Sequence, residues 1–184
     1  IAVRDGKSPF VHLLEAVDAI EGLERIRFTS PHPKGYGDDL VEAYGRLGKL
    51  AESAHIPVQS GSDRVLKLMH RGYTRGRFVT IIEKLRRVKP DIGISTDFIA
   101  GFPGETEEDF GETLSLAREV GFAQAFVFKY SRRRDTPAAD LPDQVNQAVK
   151  EDRNQQLLEV VNESGRRQHQ QFVGRQVQIL VEGP

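Results

Sequence analysis

Four groups of polar residues stand out because each closes a short apolar or β-branched run. They are Thr29, Ser30 and His32; Gln59, Ser60 and Gly61; Asp97 and Gly101; and Lys129, Tyr130 and Ser131. Hydroxyls, an amide, a carboxylate and an ammonium placed in this way can orient a ligand by hydrogen bonds and charge. Asp97 is the most pointed of them, an acid inside ISTDFIA, a run otherwise ready for burial. A buried carboxylate needs a partner, either a ligand or a structural hydrogen bond. No serine, histidine and aspartate fall into a nucleophile elbow, so no acyl-transfer triad is indicated. The five histidines lack metal-ligand spacing, and a lone loop histidine reads as a solvated one. With no cysteine there is no disulfide and no thiolate metal site. No catalytic residue and no metal ligand is assigned.

The elements that must position these groups follow from periodicity. Ile94–Ala100 reads as a buried strand of the parallel type, broken by Gly101, Phe102, Pro103 and Gly104. Thr106 then opens a helix, with Asp109 three residues on as in a capping box. Strand, Gly/Pro turn and capped helix form one βα unit, whose ligands sit at the carboxyl end of the strand. Upstream, Ser8-Pro9 starts a helix running to Gly22. Arg25–Ser30 alternates as a strand, Asp38 or Asp39 caps a second helix, and Ala54–Gln59 is a short strand followed by a helix carrying Val65, Leu66 and Met69. Arg71-Gly72-Tyr73 interrupts that helix and Thr74 caps the next. Phe122–Tyr130 is a fourth strand, and 132–142 is a loop rich in Arg, Asp and Pro. A long helix spans about 145–171, with Gly165 as a candidate kink. Gln176–Val181 alternates like a strand of an antiparallel sheet.

This order predicts an α/β fold with a parallel sheet. Four strands cannot close a barrel, and a complete eight-stranded one takes roughly 250 residues. The chain has 184 residues and a net charge of −1, with a sequence pI near 6.6. No global basic field marks it for nucleic acid, although a local patch could serve. No apolar run approaches the roughly 20 residues of a membrane span. A start at Ile1 and an end at Gly183-Pro184, just after a strand-like run, suggest a piece of a longer protein. With strands missing, unpaired edges and exposed apolar surface should make the isolated piece aggregate or melt easily. On these grounds alone the chain is a ligand-binding partial barrel of open chemistry.

Four blocks then appear in order: RIRFTSPHP (Arg25–Pro33), HIPVQSGSDRVLKLMHRGYTR (His55–Arg75), TDFIAGFPGETEEDF (Thr96–Phe110) and YSRRRDTPAA (Tyr130–Ala139). Together they resemble the radical S-adenosylmethionine methylthiotransferases, most nearly the branch acting on isopentenyladenosine in tRNA. The resemblance runs from about Ser8 to the end. IAGFPGET alone would be shared with many radical enzymes. It implies a six-stranded partial barrel, of which this chain supplies strands three to six over residues 1–171, and a TRAM-like RNA-binding β-barrel beginning at 172–184. It implies S-adenosylmethionine as cofactor and two 4Fe-4S clusters in the parent protein, ligated by cysteines outside this chain. The piece alone should therefore be inactive. Implied partners are the tRNA anticodon stem-loop and an electron donor such as flavodoxin or ferredoxin, in the cytoplasm. The implied chemistry is reductive cleavage of S-adenosylmethionine, hydrogen abstraction from C2 of the adenosine and addition of a methylthio group there.

The pattern QSxxxxVLKxxxR is also similar to the radical coproporphyrinogen dehydrogenases. That similarity assigns S-adenosylmethionine contacts to Gln59 and Arg71, the ribose to Asp97, adenine packing to Ile99, and backbone contacts to Phe128 and Lys129. Ser30 stands where that relative has an acid. Arg132, Arg133 and Arg134 would meet tRNA phosphates. Plainer readings stay open: Arg71 as a helix-end cation, Gln59 satisfying a buried backbone group, and the three arginines as a solvated loop. So do other functions: a sibling enzyme acting on threonylcarbamoyladenosine or a ribosomal-protein aspartate, an aldolase- or hydrolase-like barrel using Asp97 and Lys129, and a non-catalytic RNA-binding module.

Overall fold

A computed structural model describes residues 5–29, 32–177 and 179. Ser30 lies outside the described residues, and the predicted Gln176–Val181 strand lies largely outside them. Three parallel strands, β1 (Ser53–His55), β2 (Gly93–Ala100) and β3 (Gln124–Lys129), form a sheet in the order β1-β2-β3. Six helices accompany them: α1 (Pro9–Asp18), α2 (Asp38–Arg46), α3 (Asp63–Leu68), α4 (Arg75–Val88), α5 (Glu107–Val120) and α6 (Gln147–Gln170). Their starts follow the caps read from sequence. Ser8, Thr74 and Thr106 each accept a bond from a backbone N–H of the first turn, and Thr106 and Asp109 complete a reciprocal capping box. At α2 the cap is Gly37 instead, with Asp38 the first helical residue. Asp39 is drawn off to accept from the Ser8 N–H at 2.8 Å.

Two expectations need correction. Arg25–Ser30 is not a strand among the described residues; it makes one isolated parallel bridge, Ile26 to Leu50, ahead of β1. Its neighbour is a turn over 48–49, so only Lys49 and Ala51 offer groups to Ile26. Nor is β2 buried on both faces. Ile94, Thr96, Phe98 and Ala100 are buried, whereas Gly93, Ser95, Asp97 and Ile99 are half-buried. The ISTDFIA pattern alternates, so one pleat packs on the helices and the other faces the open side.

The buried pleat joins Phe98, Phe122 and Phe78, with Phe98 and Phe122 edge-to-face at 5.6 Å. On the open pleat, Phe126 and Phe128 are 48% and 53% exposed. Fully burying such side chains stabilises by roughly 1.5–3 kcal/mol each, so this face is poised to be covered. α6 runs on through Gly165 without a break in its helix. A Cβ there would stand 2.9 Å from the Ala123 carbonyl oxygen, so the glycine lets helix and sheet approach.

The backbone ladder between β1 and β2 is interrupted around Pro57, between the Ile56 N–H bond to Ser95 and the Gln59 N–H bond to Asp97. The Thr96 hydroxyl repairs the gap, donating to the Ile56 carbonyl at 2.8 Å and accepting from the Val58 N–H at 3.0 Å. The ladder then resumes, Gln59 N–H to Asp97 O at 2.8 Å and Ile99 N–H to Gln59 O at 2.9 Å. Thr96→Val keeps the shape and orphans both buried groups. We expect it to destabilise by about 2–3 kcal/mol, seen as a lowered thermal midpoint of the full-length protein. Thr96→Ser should retain most of the stability, and equal losses in both variants would refute the bridge.

Candidate functional site

The carboxyl ends of β1 and β2 open into a cavity of about 910 Å³. Gln59 and Ile99 come from the strand ends, Lys67 to Arg71 from α3 and the turn after it, and Thr136 to Ala138 with Leu141 from the loop after β3. Three of the predicted residues, Gln59, Arg71 and Ile99, therefore line one space.

Gln59 is held there with φ +71°, in the left-handed region that non-glycine residues seldom occupy. Its backbone N–H and C=O are both spent on β2, and its side-chain amide has no protein partner among the described residues. It therefore does not serve to satisfy a buried backbone group. A strained residue presenting a free amide to a cavity is the kind of outlier that marks ligand sites.

Arg71 lies past the end of α3, where His70 (φ +54°) and Gly72 (φ +69°) turn the chain. Its Nε donates to the Tyr73 hydroxyl at 3.2 Å, and its guanidinium lies 5.7 Å from that ring's centre. The same hydroxyl donates to the Val58 carbonyl at 2.8 Å. Tyr73 thus ties Arg71 to the residue before Gln59. The guanidinium's remaining donors are without a hydrogen-bonded protein partner among the described residues, free for a carboxylate fork. His32 packs edge-on against Tyr73 at 5.2 Å, and burial followed by the charges of Arg71 and Lys34 holds its pKa down.

Asp97 does not line the cavity. It lies on the open pleat, one alternation before Ile99, with Oδ2 3.5 Å from His55 Nε2. His55 Nδ1 is 3.0 Å from Ser95 Oγ, and its ring meets Phe126 at 6.2 Å. The sequence did not flag His55, because its partner across the ladder is visible only once the register His55↔Ser95 is known. Phe128 lies opposite Ile99 on the same open pleat. The Lys129 side chain turns to α6 and pairs with Glu151 at 3.4 Å, leaving only its backbone for a ligand. Arg132, Arg133 and Arg134 are exposed beside the cavity loop; Arg132 reaches Asp140 only at 4.0 Å.

Two ionic clusters hold the turn after β2, one buried at Arg153–Glu105 and one with its Arg64 half exposed, and sequence reasoning found of them only the Thr106–Asp109 box. Gly101 (φ +74°) donates its N–H to Glu105 Oε1 at 2.9 Å, and Arg153 of α6 meets that carboxylate at 2.8 Å and the Glu105 carbonyl at 3.1 Å. Asp109 joins the Thr106 cap to α3, accepting from Ser62 Oγ at 2.6 Å and from Arg64, which also grips the Gly104 carbonyl. Burial pushes the Asp109 carboxyl up, but its bonds from Arg64, Ser62 and Thr106 outweigh this and hold it well below its ordinary 3.8. A depressed carboxylate contributes stability above its unfolded pKa and loses it as pH falls toward the folded one. Asp109→Asn should therefore cost about 2 kcal/mol at pH 7, with the gap to wild type closing below about pH 4 in urea unfolding. A gap independent of pH would contradict the ion pair.

No group of three or more His, Cys, Asp or Glu residues able to hold a metal occurs among the described residues, and the chain has no cysteine. The residues present thus do not fit an iron–sulfur cluster. They do fit S-adenosylmethionine: an amide for hydroxyls, a guanidinium for a carboxylate and apolar floor residues for adenine. No described helix is long and apolar enough to cross a membrane.

The family model described as "Radical SAM superfamily" matches residues 4–117. The chain belongs to the Radical SAM superfamily, a family whose members use S-adenosylmethionine with an iron–sulfur cluster. It is 53% identical over 97% of its length to a tRNA-2-methylthio-N(6)-dimethylallyladenosine synthase of Methylacidiphilum infernorum, and 49% identical over 95% to that of Clostridium novyi. It spans 38% and 39% of those two relatives. Among solved structures, coproporphyrinogen III oxidase from Escherichia coli shares the fold, with TM-score 0.62 and 20% identity over 74% of this chain and 32% of that one.

Proposed function

We propose that this chain is the S-adenosylmethionine-binding part of a radical tRNA methylthiotransferase, acting on C2 of N6-isopentenyladenosine beside the anticodon. The observation that carries this reading is the 53% identity, across 97% of the chain, to a relative bearing that activity in its name. The cavity supports it, because a free amide, a free guanidinium and the Ile99 floor meet in one space of suitable size.

In this reading Arg71 holds the methionyl carboxylate, Gln59 the ribose hydroxyls, and Ile99 the adenine. Asp97, oriented by His55, holds the ribose from the open pleat, and the backbones of Phe128 and Lys129 flank the base. Ser30, outside the described residues, is added to this ligand set by the resemblance alone. Bound there, S-adenosylmethionine supplies the radical chemistry, while the protein orients it and excludes water. Two 4Fe-4S clusters are ligated by cysteines outside this chain, and flavodoxin or ferredoxin delivers the electron in the cytoplasm. Arg132 to Arg134 grip tRNA phosphates, and a TRAM-like domain begins after α6.

The test is reconstitution of the full-length protein with its clusters and a tRNA bearing N6-isopentenyladenosine, followed by nucleoside mass spectrometry. The 2-methylthio derivative is expected. Modification only of threonylcarbamoyladenosine tRNA, or only of a ribosomal protein, would overturn the assignment.

A further inference from the structure

Among the described residues the cavity wall contains Arg64, Lys67, His70 and Arg71 and no carboxylate. That is unexpected in a chain whose net charge is −1. Arg64 is neutralised by Asp109, but the side chains of Lys67 and His70 carry no hydrogen bond or ion pair among the described residues. Lys34 adds a further cation at this lip, its Nζ 3.7 Å from where a Cβ on Gly72 would stand. Asp63 lines a neighbouring cavity with Lys67 and His70, but its carboxylate is engaged there by the Arg75 N–H at 2.6 Å. S-adenosylmethionine cannot be what this charge serves, because it carries one carboxylate against an ammonium and a sulfonium. Arg71 already matches that carboxylate. The remaining cations, Lys34 and Lys67, await something more negative.

Across the opening, the loop bearing Thr136, Pro137, Ala138 and Leu141 continues from the exposed Arg132 to Arg134. Two basic lips therefore flank one mouth. Resting on the tRNA reading above, we propose that Lys34, Lys67 and His70 form a second phosphate-contact lip. The RNA backbone would run between it and the arginine loop, with the target base turned down into the cavity. Phosphate contacts of this kind fix register without reading sequence, and each one lost shallows the salt dependence of binding.

The experiment uses full-length protein with its clusters rebuilt, comparing wild type with Lys67→Gln, Lys67→Glu and Lys34→Gln/Lys67→Gln. Affinity for an isopentenylated anticodon stem-loop is measured over a series of KCl concentrations, and S-adenosylmethionine affinity by calorimetry. The double variant should bind RNA about 10-fold more weakly at low salt, with a log–log salt slope smaller by about 1–2. Lys67→Glu should be weaker than Lys67→Gln, and S-adenosylmethionine affinity should not move. If wild type binds RNA and the variants match it in affinity and slope, the phosphate lip is refuted while the tRNA reading stands. If they match it but accept electrons more slowly from reduced flavodoxin, the lip serves an acidic protein instead. If wild type binds no RNA, both proposals fall.

Discussion

Arg153→Ala is expected to lower the stability of the full-length protein by about 3–5 kcal/mol, the largest loss of any single change considered. Arg153 and Glu105 are both nearly inaccessible, their side chains 6% and 1% exposed. Removing the guanidinium leaves a carboxylate with only the Gly101 N–H. Burial already pushes the Glu105 carboxyl up, against the pull of Gly101 and Arg153. Without Arg153 it should take up a proton, so the variant should lose less at acid than at alkaline pH. Arg153 also bonds Glu107 at 3.1 Å and covers the Phe110 ring at 5.4 Å, so packing is lost as well. Glu105→Gln/Arg153→Met, which keeps an acceptor for Gly101 and restores apolar contact, should recover more than half of the loss. Chemical unfolding decides the matter: a loss under about 1 kcal/mol for Arg153→Ala would mean that the pair does not anchor the turn.

The second large effect falls on ligand binding. Arg71→Ala should weaken S-adenosylmethionine binding about 30- to 100-fold, the worth of one charge-assisted fork. Arg71→Lys should recover only part of this, since an ammonium cannot make the fork. Tyr73→Phe should give a milder loss of several-fold, because Arg71 would keep its charge but lose the hydroxyl that aims it. Thermal midpoints should scarcely change for the Arg71 variants, because that side chain is half-buried and its only hydrogen bond among the described residues is to Tyr73. Wild-type affinity in Arg71→Ala would return the residue to a plain helix-end cation.

What could be read from sequence was what depends on neighbours along the chain. Ser8-Pro9, Thr74 and the Thr106/Asp109 box announced their helices through local hydrogen bonds. Gly and Pro after Ala100 marked the carboxyl end of β2. The misses depend on distant partners. Arg153 meets Glu105 across 48 residues, and His55 meets Ser95 across 40. Arg25–Ser30 has the alternation of a strand, but its neighbour turns away after one bridge. The strain at Gln59 follows from the ladder on either side of it, which no local pattern encodes.

The most direct measurement is a crystal structure of the full-length protein with its clusters rebuilt and S-adenosylmethionine bound. The expected density places the methionyl carboxylate on Arg71, the ribose between Gln59 and Asp97, and adenine against Ile99. A second cavity of about 870 Å³ lies at the other end of the sheet, walled by Arg27, Arg166 and His169. Density there, with the carboxyl-end cavity empty, would contradict the assignment and leave Gln59 and Arg71 without a ligand.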